Sequence, residues 1–117
     1  MMKRVCIDVG HTPIKFGASN ETSGVLEYHQ NVKLANLLAA WLHRLQMIPV
    51  VVYRETYAGL PALINQTSAD ICISVHANAA AEPTASGTET LYCAGSVLSK
   101  KLADIMQSYM HATLDIR

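Results

Sequence analysis

Apolar residues occur in short runs and in one long stretch with helical spacing. Residues 4–9, 49–53 and 69–75 are rich in valine and isoleucine and predict three buried strands. In residues 26–46, large apolar side chains recur every three or four positions, which predicts an amphipathic helix with this stripe in the core. The stripe consists of Leu34, Leu38, Trp41, Leu42 and Leu45.

The rest of the chain completes an alternating pattern of strands and helices. Residues 10–24 contain Gly, Pro, Ser and Asn and predict a long loop, which in compact domains is often functional. Residues 58–66 predict a short helix, residues 87–93 alternate like a fourth strand, and Ser96 is placed to cap a last helix. The order β-α-β-α-β-β-α predicts an α/β fold, with a mainly parallel sheet flanked by helices in a single domain over residues 1–117.

Composition argues against several classes of partner. Nine Lys and Arg residues balance nine Asp and Glu residues, so no basic surface for nucleic acid is indicated. No apolar run approaches the ~20 residues of a membrane-spanning helix, so membrane insertion is not expected. Cys6, Cys72 and Cys93 form no CxxC pair, and the first two lie in predicted strands, where small buried residues are expected. Nothing in the composition indicates an oligomeric state.

Three side chains with metal-binding chemistry are predicted to meet at one edge of the sheet. His11 follows the first strand, and His76 ends the third. The carboxyl ends of parallel strands share one edge, where α/β proteins bind their ligands. The helix after the first strand begins at the same edge, and Glu27 stands in its first turn. Two histidines and one carboxylate with a fourth position open are a common catalytic zinc arrangement.

Each of these residues also has a more ordinary interpretation. The three lie far apart in the sequence and there is no HExxH motif, so on spacing alone such histidines are more often polar surface or core residues. An acidic residue in the first turn of a helix, such as Glu27, is favourable without any metal. Glu21 and His29 lie close by in the sequence and are alternative ligands.

Short motifs along nearly the whole chain resemble those of one enzyme family. They are IDVGH at 7–11, GA at 17–18, EYHQN at 27–31, VYR at 52–54, the segment 65–70, SVHANA at 74–79 and GTET at 87–90. In this order the set resembles the zinc-dependent N-acetylmuramoyl-L-alanine amidases of the Amidase_3 type. The segment SVHANA is the most specific part of the match.

The resemblance implies a reaction and a set of ligands. It implies Zn²⁺ held by His11, Glu27 and His76, and hydrolysis of the peptidoglycan amide bond between N-acetylmuramic acid and the L-alanine of the stem peptide. In the family a second glutamate, on a strand near the C-terminus, acts as general base and acid. No position of this chain matches that glutamate, and the C-terminal strands of the family are missing from the sequence.

Four further residues are candidates for supporting the site or contacting the substrate. Asp8 either orients a ligand histidine or bonds the loop backbone at the end of its strand. Asn78 either holds the loop after the third strand or forms a turn. Glu89 either contacts substrate or is an ordinary exposed strand residue. Arg54 either binds a carboxylate of the stem peptide or forms a surface salt bridge.

Three functions are compatible with the sequence. The leading hypothesis is a zinc amidase that acts on the cell wall. The alternative is a truncated, catalytically inactive amidase-like domain that binds zinc or peptidoglycan, since the general base has no counterpart. The third is a nucleotide-binding module, against which the lack of GxGxxG and GxxxxGK[ST] motifs argues.

The first residues of the chain bear on where it acts. The segment MMKRVCI runs directly into a predicted strand, and no signal peptide is recognised there. We therefore expect synthesis in the cytosol, with access to the wall either by secretion through another route or as a phage or prophage lysis enzyme released from the cytoplasm.

Overall fold

A parallel three-stranded sheet forms the centre of the fold. The computed structural model describes residues 2–77 and 86–114. Its strands are β1 (Arg4–Val9), β2 (Ile48–Tyr53) and β3 (Ile71–Val75), in the order β2-β1-β3, and both neighbours run parallel to β1. Because β1 is central, five of its six residues are buried. All three strands therefore end at the same edge.

Three helices complete the architecture. They are α1 (Glu27–Arg44), α2 (Leu60–Asn65) and α3 (Val97–Leu114). Apart from the predicted fourth strand, the elements follow the predicted order, and the predicted α/β class with a parallel sheet is confirmed. The chain divides into two compact units, Met1–Ala79 with the sheet, α1 and α2, and Ala80–Arg117 with α3.

The core lies between α1 and the sheet. Its buried members are Val5, Ile7, Val9, Ala35 and Val75. Leu38 and Leu42 pack against this cluster as predicted.

The remaining residues of the predicted core stripe are exposed, so that part of the prediction is wrong. Leu34, Trp41 and Leu45 keep 51%, 57% and 64% of their surface. Leu34 and Trp41 each come one position before a residue that faces the sheet, and one position rotates a side chain by about 100° around a helix. Leu45 caps the end of α1.

The predicted fourth strand is a second correction. Residues 86–93, all described, form no strand. Instead, a side chain of α3 bonds this segment: Gln107 Nε2 donates to the Thr88 carbonyl oxygen at 2.8 Å, and Thr90 Oγ1 donates to Gln107 Oε1 at 2.8 Å. These polar groups are satisfied by one helix side chain rather than by a strand ladder. The alternation of threonines with other residues was therefore a misleading signal.

Two smaller predictions have mixed outcomes. Ser96 caps α3 as predicted, since its Oγ accepts from the backbone N–H of Ser99 at 3.3 Å. Cys6 is buried, but Cys72 is exposed, because β3 has a neighbour on one side among the described strands.

Among the described helices, none combines the length and the hydropathy needed to cross a bilayer.

Candidate metal centre at the carboxyl edge of the sheet

Two histidines and one glutamate meet where β1 and β3 end and α1 begins. The Glu27 Oε1 atom lies 3.1 Å from His11 Nε2 and 3.2 Å from His76 Nδ1. The two imidazole rings are 5.0 Å apart at their centroids and nearly perpendicular. One nitrogen or oxygen from each residue lies within 4.8 Å of the others. The structure thus brings together the three side chains that the topology suggested.

Glu27 is held rigidly as an anion. It is 7% exposed, and each carboxylate oxygen accepts from a backbone N–H, Oε2 from Ala18 at 2.9 Å and Oε1 from Ala77 at 3.0 Å. Burial on its own raises the pKa of Glu27. The two backbone N–H groups, the Asn31 amide and the charge of His11 together outweigh burial and lower this pKa below its usual value.

Asn31 connects the carboxylate to the end of β1. It is 2% exposed, and its Nδ2 donates to the Gly10 carbonyl oxygen at 3.1 Å and to Glu27 Oε1 at 3.5 Å. One buried amide therefore links helix α1 to the backbone that carries His11. In the sequence this asparagine is the last residue of the EYHQN motif, and the motif alone predicts no structural role for it. The available signal was its position four residues after Glu27, which puts both on one helix face.

The loop between β1 and α1 positions the start of the helix. The N-cap residue of α1, Leu26, makes no side-chain hydrogen bond to the first turn. Instead, loop carbonyls accept from its first N–H groups, Ala18 from Glu27 at 2.8 Å and Phe16 from Tyr28 at 3.0 Å. The loop that the sequence suggested to be functional thus fixes the first turn, and with it the carboxylate.

Two glycines allow the backbone to approach the site. A Cβ on Gly17, which has a φ of +76°, would lie 2.5 Å from Glu27 Oε2 and from His11 Cδ2. A Cβ on Gly10 would lie 2.5 Å from His76 Cε1. Neither distance is compatible with an ordinary side chain, so the compactness of the site depends on glycine at both positions.

His11 has a left-handed backbone conformation, which predicts an unusual order of stabilities. Its φ of 68° costs a non-glycine residue about 1 kcal/mol or more. We expect His11→Gly to be more stable than His11→Ala by about 1 kcal/mol in the metal-free state, as measured by denaturant unfolding. Gln46, with a φ of 63° just after α1, is the matched control, and Gln46→Gly should show the same advantage over Gln46→Ala. Equal stabilities of the two His11 variants would contradict the strain.

Of the other predicted site residues, one lies on β1 and one directly after the neighbouring strand β2. Asp8 is 1% exposed and accepts through Oδ2 from the Ser74 hydroxyl at 2.8 Å, and among the described residues neither histidine bonds it. The Asp8 Oδ1 atom is buried and has no hydrogen-bond partner among the described residues. Arg54, just after β2, lies over the ring of Tyr57 at 5.2 Å from the centroid.

The remaining candidates are not among the converging donors found in the described residues. Asn78 is outside the described residues. Glu89 is exposed in the irregular segment before α3. Glu21 and His29, the alternative ligands, are both exposed, and neither belongs to the group of converging donors found among the described residues.

Comparison with known proteins gives a consistent result. Residues 5–117 match the Amidase_3 family model, described as N-acetylmuramoyl-L-alanine amidase. The chain is 30% identical to the N-acetylmuramoyl-L-alanine amidase LytC of Bacillus subtilis (strain 168), over 97% of this chain but 24% of that protein.

Solved structures are similar over nearly the whole chain. An N-acetylmuramoyl-L-alanine amidase from Clostridium difficile 630 superposes with a TM-score of 0.87 at 31% identity, covering 99% of this chain and 66% of the other. The catalytic domain of CwlV, an amidase from Bacillus (Paenibacillus) polymyxa var. colistinus, has a TM-score of 0.78 at 26% identity and covers 98% and 66%. The chain thus spans about two thirds of these solved relatives and about a quarter of LytC. With the family model matching almost every residue, the chain belongs to the N-acetylmuramoyl-L-alanine amidase family of the Amidase_3 type.

Proposed function

We propose that this chain hydrolyses peptidoglycan with a zinc ion held by His11, Glu27 and His76. The bond cleaved is the amide between N-acetylmuramic acid and the L-alanine of the stem peptide. The observation that carries the proposal is the convergence of two imidazole nitrogens and one carboxylate oxygen within 4.8 Å. Membership of the family supports the choice of substrate.

The donor set fits zinc. Imidazole nitrogen and carboxylate oxygen are both ordinary zinc ligands, and three protein ligands leave a further position for water or substrate. The side chains of His11 and His76 are 29% and 40% exposed, so the group is open to solvent on the histidine side. When bound, zinc supplies a Lewis acid and a means of activating water at neutral pH.

The protein's own contribution is to hold the carboxylate of Glu27 ionised and in place beside the two histidines. His11 faces the carboxylate with Nε2 and His76 with Nδ1, so metal binding requires the proton of each ring on the other nitrogen. The backbone N–H groups of Ala18 and Ala77 hold Glu27 anionic in advance. The ligands are thereby preorganised, and little rearrangement is needed when the metal enters.

A second candidate function is binding without turnover. Among the described residues, the converging group contains three donors, and the proposal assigns all of them to the metal. None is left to accept the proton of water and return it to the leaving amine, which general acid–base catalysis requires. A domain that binds zinc or wall fragments is therefore the alternative to be separated by experiment.

Peptidoglycan as the substrate places the protein at the cell wall, as a secreted autolysin or as a phage-type endolysin. Arg54 and Glu89 remain proposed contacts for the substrate, and Asn78 a proposed support of the loop after His76. Asp8 accepts from the Ser74 hydroxyl and bonds neither histidine among the described residues, so its proposed role is to support the strand ends that precede them.

Replacement of one histidine tests the ligand set. We expect the wild type to bind zinc stoichiometrically and His76→Ala to lose it, because one of three protein ligands is gone. His29→Ala, an exposed histidine of α1, is the matched control and should keep its zinc. Metal content after dialysis is the measurement, and stoichiometric zinc in His76→Ala would overturn the ligand assignment.

Release of stem peptides from purified peptidoglycan separates the two candidate functions. Zinc-dependent release by the wild type, absent in His76→Ala, supports the amidase. Zinc binding with no release supports the binding domain.

A further inference from the structure

A groove leads away from the candidate metal centre along α1. It has a volume of about 400 Å³ and is lined by Gln30, Asn31, Lys33, Leu34, Leu37, His76 and Ala77. His76 belongs both to this groove and to the converging donors. The groove is thus continuous with the site where the bond is cleaved in the proposed function.

One wall of the groove is a single face of the helix. Gln30, Lys33, Leu34 and Leu37 are spaced three and four residues apart, so their side chains lie in one row. Leu34 is 51% and Leu37 62% exposed, which gives the groove an apolar wall. Lys33 stands beside this wall as its cationic group.

The distance from the metal centre to Lys33 along α1 corresponds to a few peptide residues. Lys33 is six residues after Glu27, which corresponds to roughly 9 Å along the helix axis. An extended peptide covers about 3.3 Å per residue, so this distance corresponds to between two and three residues from the metal centre. A lysine side chain reaches several ångströms further in either direction.

The charge of Lys33 is available to a ligand. Its side chain is exposed, and within the described residues no carboxylate pairs with it. In stem peptides the residue after L-alanine is a D-glutamate joined through its side-chain carboxyl, so its main-chain carboxylate is either free or amidated. This carboxylate is about as far from the cleaved bond as Lys33 is from the metal centre.

We propose that this groove is the stem-peptide subsite and that Lys33 selects peptides whose second residue carries a free carboxylate over those in which it is amidated. The inference rests on the proposed function, since it takes the cleaved bond to lie at His11, Glu27 and His76. Leu34 and Leu37 contact the apolar parts of the peptide, and Lys33 pairs with the carboxylate. Lys33 is therefore a specificity-determining residue, with no part in the hydrolysis itself.

The test compares two product peptides that differ in one group. L-Ala-γ-D-Glu-L-Lys carries the free carboxylate and L-Ala-D-isoGln-L-Lys the carboxamide, and neither contains the bond to be cleaved. We expect the zinc-loaded wild type to bind the carboxylate form about threefold more tightly, the scale of an exposed ion pair, in NMR titrations at low salt. Lys33→Met should bind both equally, and Lys33→Glu should prefer the carboxamide.

A second lysine provides the control. Lys101 on α3 is exposed, has no ion pair among the described residues and is not one of the residues that line the groove, so Lys101→Glu makes the same change of charge and should keep the wild-type preference. A wild-type preference that survives in Lys33→Glu, or equal binding of both peptides by the wild type, overturns the subsite while the zinc and peptide-release results stand. Binding of neither peptide to the zinc-loaded chain also overturns the subsite, whereas the proposed function is decided by the zinc and peptide-release results alone.

Discussion

Glu27→Gln is expected to lower zinc affinity more than about 100-fold, beyond the 10- to 100-fold loss typical of groups that only orient a ligand. The substitution keeps the size and shape of the side chain but removes its charge. Glu27 Oε1 lies within 3.2 Å of a nitrogen on each histidine, so it is at the centre of the donor set. Metal content and a competitive titration with a zinc chelator measure the loss.

The same variant should also be less stable without metal. Glu27 accepts the N–H groups of Ala18 and Ala77 on different oxygens, and a glutamine has one oxygen to offer. One partly buried N–H then faces an NH₂ group, which costs about 1 kcal/mol of unfolding free energy, the lower end of the range for a buried group. The lowered pKa of Glu27 sets the pH dependence of this difference. The wild-type advantage is fully present above pH 4.5, the ordinary pKa of the group, and shrinks as the pH falls through the lowered pKa of the folded state.

Glu21→Gln is the matched control for both effects. Glu21 lies in the loop that precedes α1, is exposed and undergoes the same chemical change. It should retain zinc and unfold at the wild-type denaturant concentration. If Glu21→Gln loses zinc while Glu27→Gln keeps it, the carboxylate ligand has been misassigned.

The sheet and the position of the candidate site were predictable because they follow from local pattern and chain direction. Apolar runs placed β1 at Arg4–Val9 and the other strands within two residues of their observed bounds. Parallel strands with a helix between them leave little freedom in where each strand ends. The edge on which His11 and His76 lie was therefore determined once the elements were recognised.

The errors arose where tertiary packing decides between local alternatives. Trp41 fits an apolar stripe, yet Ala35, with its small side chain, lies at the sheet and Trp41 lies on the flank. Residues 87–93 alternate like a strand, but alternation carries no information on whether a neighbouring strand is present. Neither outcome is contained in the spacing of residue types.

The polar connections of the site could not be read from the sequence either. The contacts of Gly17 with Glu27 and His11 depend on how the long loop folds back, which spacing does not determine. The two backbone N–H groups that hold Glu27 come from residues 9 positions before it and 50 after it. Backbone donors have no residue-type signature, so a search by residue type does not find them.

Asn31→Asp is expected to destabilise the protein by about 3 kcal/mol or more, because it places an unpaired carboxylate in a buried position. The oxygen that replaces Nδ2 would face two acceptors, the Gly10 carbonyl at 3.1 Å and Glu27 Oε1 at 3.5 Å, where the asparagine now donates. Asn36→Asp, on the exposed side of α1, makes the same change and should cost little. Denaturant unfolding of the metal-free proteins at several pH values measures both. The loss of unfolding free energy in Asn31→Asp should shrink as the pH falls, because protonation removes the charge of the new carboxylate beside Glu27. A loss that does not change with pH would show that altered packing, rather than charge at the site, is responsible.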